Sequence, residues 1–218
     1  MEHHGGSDHG GDCHGGDRHG GSDRGGRHHP DASSGGHHHG SSNHEGHGHC
    51  GHRHGDEGLW VGLRAGVLTL SDSRTRDNDR SGDVLEGLVL GRGGRVVRRE
   101  ILADERRLIA ECLRHWADSG QVEVILTTGG TGAGPRDVTP EATREVCERE
   151  LPGLAELIRR DGLRHVPTAV LTRGIAAFRG QVMVINLPGS SRGAAQGFEA
   201  VAHLVPHAIA MARGMGHP

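Results

Sequence analysis

The sequence predicts one α/β domain, a three-layer sandwich around a mostly parallel sheet, preceded by a tail of different composition. Two observations predict this fold. From Leu63 onward, short apolar runs typical of buried strands alternate with amphipathic stretches typical of helices. The connections between these segments are short, which favours parallel strands in a sheet covered by helices on both faces. A third observation, a change in composition near Gly58, separates the domain from the tail.

Four strands are predicted in the domain. The apolar runs AGVLTL (65–70), VEVILT (122–127) and VMVINL (182–187) indicate buried strands. The run RVVRREIL (95–102) is interrupted by charges and indicates a more exposed strand.

Helices are predicted between and after these strands. Ser81 is expected to cap the first helix. Thr139 is expected to cap a later one, with Pro140 at its first position, where the missing N–H costs nothing. The predicted helices cover residues 81–90, 104–118, 153–163 and 194–213, and a further one begins at residue 139.

Residues 1–58 have the composition of a disordered tail. They hold 15 of the 20 histidines and nine acidic residues against four arginines, and the first leucine of the chain is Leu59. So few apolar side chains cannot bury enough surface to offset the entropy of ordering the segment. We therefore predict a domain over residues 59–218, a normal length for one core.

The tail histidines predict weak metal binding at several places. Imidazole is a good ligand for Ni²⁺ and Zn²⁺, and glycine-rich spacing lets a chain wrap an ion. The alternative is a solvated low-complexity extension with no metal-dependent role, and the sequence leaves both open. The densest candidate ligands are His37, His38, His39, His47, His49, His52 and His54.

The composition argues against nucleic-acid and membrane partners. The domain carries a net charge near +2, and its two Trp and two Phe offer no platform for stacking bases. No apolar run reaches the roughly 18–20 residues of a membrane span. The four cysteines form no paired motif, and a reducing cytoplasm is the expected location.

Polar turns follow the four predicted strands directly. Because the carboxyl ends of parallel strands meet at one edge of a sheet, we expect these turns to form one crevice, where backbone N–H groups can bind phosphate. The turns contain Ser71, Asp72 and Ser73 after the first strand, Asp104 after the second, residues 128–137 after the third, and Pro188, Gly189 and Ser190 after the last.

The glycine-rich turn fits neither of two common nucleotide motifs. A Walker A loop needs lysine, and the chain has none. A dinucleotide fingerprint starting at Gly130 would need glycine where Pro135 stands. A phosphate-binding loop of another kind and a plain tight connection both remain open.

Three acids near predicted helix starts have two interpretations. Asp104, Asp137 and Glu141 could each stabilise a helix N-terminus, by capping or by charge, or could hold a cation. Taken one at a time, their positions favour the structural role.

A long motif favours a functional role for these acids over a structural one. The segment TTGGTGAGPRDVTPEAT (127–143) resembles the MogA/MoaB family, which includes the molybdopterin-binding domain of gephyrin. The resemblance extends over residues 63–213 in the family's order. It includes LTLSDSRTRDNDRSGD (68–83), ILADERRLI (101–109), PGLAELIRRDGL (152–163), LTRGIAAFRG (171–180) and INLPGS (185–190).

The resemblance implies an enzyme of molybdenum-cofactor synthesis. Active members are molybdopterin adenylyltransferases, which transfer AMP from ATP to the terminal phosphate of molybdopterin and release pyrophosphate. The product is then the substrate of a molybdate-insertion enzyme. The family's members are trimers or hexamers, so a homotrimer or hexamer is expected here.

The resemblance also implies a role for each site residue. Asp104 and Asp137 match catalytic and Mg²⁺-related positions of the family. Such acids are expected because the reaction needs a cation to offset the repulsion between two phosphates. The turn Gly129, Gly130, Thr131 and Gly132 is expected to hold the pterin and its phosphate. Further ligand-binding positions are Ser71, Asp72, Ser73, Glu141, Thr172, Asn186, Pro188, Gly189 and Ser190.

Two departures from the family pattern are compatible with activity. Ser191 and Arg192 follow PGS where the family commonly has lysine, and arginine can also face a phosphate. Thr172 replaces a serine and keeps the hydroxyl. The intact RDVTPEA segment favours the catalytic branch over a pterin-binding paralogue without transfer activity. A third hypothesis is a metal chaperone acting through the tail.

Overall fold

A computed structural model of the chain describes residues 60–215. The proposed tail, with His37, His38, His39, His47, His49, His52 and His54, lies outside the described residues. The strands are β1 (Arg64–Leu70), β2 (Arg95–Leu102), β3 (Val124–Thr128), β4 (Arg149–Glu150), β5 (Ala176–Arg179) and β6 (Val182–Leu187). The helices are α1 (Arg80–Gly91), α2 (Arg106–Asp118), α3 (Thr139–Val146), α4 (Pro152–Gly162), α5 (Ser191–Val201) and α6 (Val205–Ala212).

The six strands form one sheet in the order β2-β1-β3-β6-β5-β4. The first four run parallel, and β5 and β4 complete the sheet with antiparallel pairings. The mostly parallel sheet is therefore confirmed. The central strands β3 and β6 are buried along their whole length, whereas the edge strand β2 has no buried residue.

The sheet has an apolar core on each face, as a three-layer sandwich requires. One core contains Leu85 of α1 and Phe198 of α5 against Leu126 and Ile185 of the sheet. The other contains Leu113 and Trp116 of α2, Val146 of α3, and Ile125 and Val184 of the sheet. Each strand sends alternate side chains to opposite faces, so its continuous apolar run serves both cores.

The predicted helix starts are wrong in three places. Asp79, not Ser81, caps α1, because its carboxylate accepts the backbone N–H of Gly82 at 3.0 Å. Helix α2 begins at Arg106, two residues after the predicted start at Asp104. Thr139 lies inside α3, and its hydroxyl donates to the Gly129 carbonyl at 2.9 Å instead of capping the helix.

Two further differences come from local sequence. The predicted helix 194–213 is two helices, with Pro206 in the first turn of α6, where it cannot continue a preceding helix. Strands β4 and β5 were not predicted, because they have only two and four residues and no extended apolar alternation.

Two further observations on the described residues concern the cysteines and the length of the helices. Cys112 and Cys147 are free thiols, and burial raises the pKa of each to about 12, so neither favours the thiolate form. Within residues 60–215, every helix is too short or too polar to cross a membrane.

Candidate active site

The four polar turns meet at one edge of the sheet, as the strand order requires. The strands β2, β1, β3 and β6 are adjacent and parallel, so their carboxyl ends lie side by side. Hydrogen bonds join the turns: the Thr128 hydroxyl donates to the Pro188 carbonyl at 2.7 Å, and Arg74 Nη2 donates to the Gly189 carbonyl at 2.8 Å. The predicted crevice therefore has one continuous rim.

The glycine turn lies between two acids. Gly130 has a φ of +61°, and a Cβ there would lie 2.4 Å from Thr139 Oγ1 and 2.8 Å from Asp104 Oδ1. At Gly132 a Cβ would lie 2.8 Å from Asp137 Oδ2. The positive φ and the close Thr139 hydroxyl favour glycine at residue 130, and at residue 132 a side chain would displace the Asp137 carboxylate.

Asp104 is not a helix cap. It precedes the N-cap residue of α2, Glu105, and no side chain caps that helix. Its Oδ1 is buried and accepts no hydrogen bond within the described structure. Burial, reinforced by the nearby carboxylate of Asp72, raises the pKa of Asp104. An unpaired carboxylate oxygen is costly, and a bound cation would remove that cost.

Asp137 closes the glycine-rich loop. Its Oδ2 accepts the backbone N–H of Gly134 at 2.8 Å, and it does not cap α3, whose N-cap residue is Val138. Within residues 60–215, its Oδ1 has no hydrogen-bond partner. One oxygen therefore fixes the loop and the other is free for a ligand.

Arg136 is the cation beside these acids. Its Nε and Nη2 donate to the carboxylate of Asp72 at 3.0 and 2.7 Å, and both side chains are substantially exposed. The hydrogen bond from Arg136, together with the one from the Asp104 backbone, lowers the pKa of Asp72. Sequence reasoning gave Arg136 no role, although it stands inside the longest motif.

Arg173 holds the glycine loop from the other side. Its Nε donates to the Gly132 carbonyl and its Nη2 to the Asp137 carbonyl, both at 2.6 Å. Its guanidinium also pairs with Glu141. Glu141, predicted to bind a ligand, is therefore already engaged by a protein cation. Arg173 was missed because no local pattern marks a contact across 41 residues.

An apolar cavity of about 270 Å³ adjoins the glycine turn. It contains four of the predicted residues, Gly132, Thr172, Pro188 and Ser190. Ser190 also caps α5 by accepting the backbone N–H of Gly193 at 3.1 Å. The rest of its wall was not foreseen from sequence. It comes from α4, α5, the 3₁₀ segment Pro167–Leu171 and the residue before that segment, and includes Ile158, Val166, Ala169, Leu171 and Gln196.

Asn186 does not line the crevice, which corrects its predicted role. The residue is 2% exposed, and its amide donates to the hydroxyls of Thr127 and Thr143 at 3.0 Å each. Its Oδ1 accepts the backbone N–H of Ile175. The amide is fully used within the protein, so Asn186 supports the carboxyl edge of the sheet from below.

The remaining predicted residues shape the turns. Ser71 Oγ accepts the backbone N–H groups of Ser73 and Arg74, which closes the turn after β1. Thr131 is buried, and its hydroxyl oxygen accepts a hydrogen bond from the Thr172 hydroxyl at 3.0 Å. These contacts tie the turns to one another.

Two carboxylates at the glycine turn have an oxygen with no protein partner among the described residues. Within residues 60–215, no group of three or more His, Cys, Asp or Glu side chains is arranged to hold a metal ion alone. Mg²⁺ commonly binds through one or two carboxylates plus substrate phosphates and water. The buried unpaired oxygen of Asp104 and the free oxygen of Asp137 fit that mode.

A glycine turn, two acids with unpaired oxygens and an adjoining apolar cavity at the carboxyl edge of a parallel sheet are typical of an α/β protein that binds a small molecule there. The chain belongs to the family described as "Probable molybdopterin binding domain", whose sequence profile matches residues 66–207.

Relatives with curated names agree with this family. The chain is 44% identical over 115 residues to the molybdopterin adenylyltransferase of Helicobacter pylori strain J99, covering 53% of this chain and 65% of that protein. It is 40% identical over 147 residues to the molybdenum cofactor synthesis protein cinnamon of Drosophila melanogaster, covering 66% of this chain and 24% of that one. The chain therefore spans less than two thirds of either relative.

A solved structure confirms the fold and the resemblance to MogA and MoaB. The molybdopterin biosynthesis enzyme MoaB of Thermus thermophilus superposes with a TM-score of 0.65 at 45% identity. The match covers 70% of this chain and 97% of that one.

Proposed function

We propose that the domain is a molybdopterin adenylyltransferase, which transfers AMP from ATP to the terminal phosphate of molybdopterin and releases pyrophosphate. The observation that carries the proposal is the buried, unpaired Oδ1 of Asp104, which lies against Gly130 of the glycine turn. A second acid, Asp137, lies against Gly132, two residues further along. The named activity of the Helicobacter pylori relative supports it.

The apolar cavity and the two acids are proposed to bind different substrates, molybdopterin and ATP. The apolar cavity beside Gly132 suits the flat ring of a pterin, and the backbone of the glycine turn suits its phosphate. We propose that the two acids beside the turn, Asp104 and Asp137, act on the phosphates of ATP. The phosphate acceptor and the phosphate donor then meet at the turn itself.

The reaction joins an oxygen of the terminal molybdopterin phosphate to the α-phosphorus of ATP. The bond between the α-phosphorus and its bridging oxygen breaks, and the electron pair leaves with pyrophosphate. Mg²⁺ held by Asp104, Asp137 and the ATP phosphates would offset the charge that repels the two anions. The chain's own contribution is to hold both phosphates in line.

Arginines complete the positioning. Arg173 fixes the backbone of Gly132 and Asp137, so the turn and the acid keep one geometry. Arg136 holds Asp72, whose Oδ1 accepts the Asp104 backbone N–H. Ser71 and Ser73, in the same turn as Asp72, are proposed to contact the ligand with Gly189 and Ser190.

The assembly and its surroundings are inferred from the family. We propose a homotrimer or hexamer, a molybdate-insertion enzyme as the user of the product, and a cytoplasmic location. The tail is proposed to bind Ni²⁺ or Zn²⁺ independently of the reaction, on the strength of its histidine content.

The activity can be tested with the purified chain, molybdopterin, ATP and Mg²⁺. We expect one pyrophosphate released for each molybdopterin that gains the mass of AMP, with no release when either substrate is omitted. Tight binding of molybdopterin without pyrophosphate release would instead identify a pterin-binding paralogue without transfer activity.

A further inference from the structure

A second cavity, of about 320 Å³, lies behind the glycine loop between α3, α4 and the segment that enters β5. Three arginines line it, Arg144 of α3, Arg159 of α4 and Arg173, against one carboxylate, Glu150. The other lining residues are small or apolar, such as Ala155 and Ile175. The cavity therefore carries an excess of positive charge.

Arg159 is the arginine of this cavity without an acidic partner. Its guanidinium donates one hydrogen bond, to the Gly174 carbonyl at 3.3 Å, and among residues 60–215 it forms no ion pair with a carboxylate. By contrast, Arg99 contacts three carboxylates, and Arg179 pairs with Asp118. A guanidinium has five N–H donors, so Arg159 retains several for a ligand.

Arg144 adds further donors to the same cavity. Its Nε donates to Glu150 at 2.9 Å, which leaves both terminal nitrogens without a protein partner in the described chain. Arg144 and Arg159 come from helices that pack on opposite faces of the sheet, and both line the cavity. Each has unused N–H donors of the kind that bind the oxygens of a phosphate. The volume of this cavity is several times the volume of one water molecule, so it has room for two linked phosphates.

We propose that this cavity binds a small phosphate-bearing anion of the size of pyrophosphate through Arg159 and Arg144. Arg173 connects the cavity to the active site, because the same guanidinium faces the cavity and holds the Gly132 and Asp137 carbonyls. An anion competes with Glu141 for Arg173, so its binding loosens the glycine loop. Occupation of the cavity therefore slows the reaction without blocking the substrate crevice.

Titration calorimetry of the full chain with inorganic pyrophosphate, without nucleotide or Mg²⁺, tests the site directly. Arg159→Gln is expected to weaken binding by about tenfold or more, the effect of removing one charge-assisted hydrogen-bonded pair. Arg95→Gln, on an exposed residue at the opposite edge of the sheet, serves as the matched control and should bind like the wild type. Unchanged affinity and stoichiometry in Arg159→Gln would overturn the proposal.

A second variant and a second anion extend the same titration. Arg144→Gln, a change at a half-exposed side chain, should also weaken binding, and it guards against a folding defect peculiar to Arg159→Gln. Malonate should bind at least about tenfold more weakly than pyrophosphate, because it lacks the tetrahedral oxygens that two guanidinium groups can share. Equal binding of the two anions would contradict a preference for phosphate.

The link to catalysis rests on the proposed function and is tested separately. Added pyrophosphate should inhibit wild-type turnover partly by a noncompetitive route, and that part should disappear in Arg159→Gln. The titration needs no turnover, so an inactive chain that binds pyrophosphate through Arg159 would refute the proposed function alone. An active chain with no such binding would refute this site alone.

Discussion

The carboxylate of Asp72 accepts the backbone N–H of Asp104 at 3.1 Å, so the turn after β1 fixes the acid that follows β2. Arg136, from the glycine-rich loop after β3, holds the same carboxylate with two nitrogens. Three turns on neighbouring strands thus converge on the carboxylate of Asp72. Through the backbone of Asp104, Asp72 positions the acid that we propose to hold Mg²⁺.

Arg136→Gln should lower turnover more than stability. The change removes the cation that holds Asp72, and a misplaced reacting group costs between about tenfold and a hundredfold in rate. The ion pair is exposed, so the midpoint of urea unfolding should stay unchanged. Steady-state kinetics with an unfolding curve tests this, with Arg164→Gln, another exposed ion-paired arginine, as the control. Wild-type turnover in Arg136→Gln would remove the residue from the account.

Arg173→Lys should reduce both turnover and stability. Lysine keeps the charge but cannot reach the Gly132 and Asp137 carbonyls together, because it lacks the planar fork of arginine. Loss of one or two hydrogen bonds is expected to lower the unfolding free energy by about 1 to 2 kcal/mol. The Mg²⁺ concentration needed for half-maximal turnover should rise, which a Mg²⁺ titration of the steady-state rate measures. Wild-type turnover in Arg173→Lys would show that only the charge of residue 173 matters.

Asp79 should make stability depend on acid pH. Its carboxylate is fully buried and pairs with Arg99 at 3.0 Å. Burial raises its pKa, but hydrogen bonds from Gly82, Arg99 and Thr69 outweigh that effect, so the pKa lies below the ordinary value of 3.8. The stabilisation is therefore complete above about pH 4 and is lost as pH falls through the folded-state pKa.

Urea unfolding of Asp79→Asn across pH checks this. At pH 7 the variant should be less stable by about 2 kcal/mol, since the buried carboxylate loses charge-assisted hydrogen bonds while Arg99 keeps Asp83 and Glu86 as partners. The difference from the wild type should shrink as pH falls below about 4. A difference that stays constant down to about pH 2 would mean that the carboxylate charge contributes nothing.

The tail should account for weak, multi-site binding of Ni²⁺ and Zn²⁺. Calorimetric titration of the full chain is expected to show several weak sites, which a chain starting at Leu59 lacks. Adenylyl transfer by the two chains should be equal, because the proposed site lies within residues 60–215. Equal metal binding by both chains would rule out a metal-binding role for the tail.

The sequence predicted the parts of this domain that depend on local pattern. Strand β6 was predicted at the observed bounds because six consecutive buried residues leave a clear apolar run. The convergence of the turns followed from the polarity of parallel strands. The outcome for Asp104 was different: position alone favoured a cap, and only the three-dimensional structure shows an uncapped helix and an unpaired oxygen.

Contacts between distant residues could not be predicted. Asn186 stands one residue before the end of a buried strand and looked available to a ligand, yet its amide is satisfied by Thr127 and Thr143. Arg173 holds a loop 41 residues earlier in the chain. Both roles depend on which side chains face each other after folding, which no local periodicity encodes.

The most direct test of the account compares Asp104→Asn with the matched variant Asp118→Asn in the adenylylation assay. Asp118 is an exposed acid at the opposite end of α2, paired with Arg179. Asp104→Asn should fold with unchanged or greater stability, because it neutralises a buried carboxylate that lacks a partner. We predict that at saturating substrate its turnover falls by about a hundredfold or more, while Asp118→Asn keeps wild-type turnover. Turnover of Asp104→Asn close to that of the wild type would contradict the account.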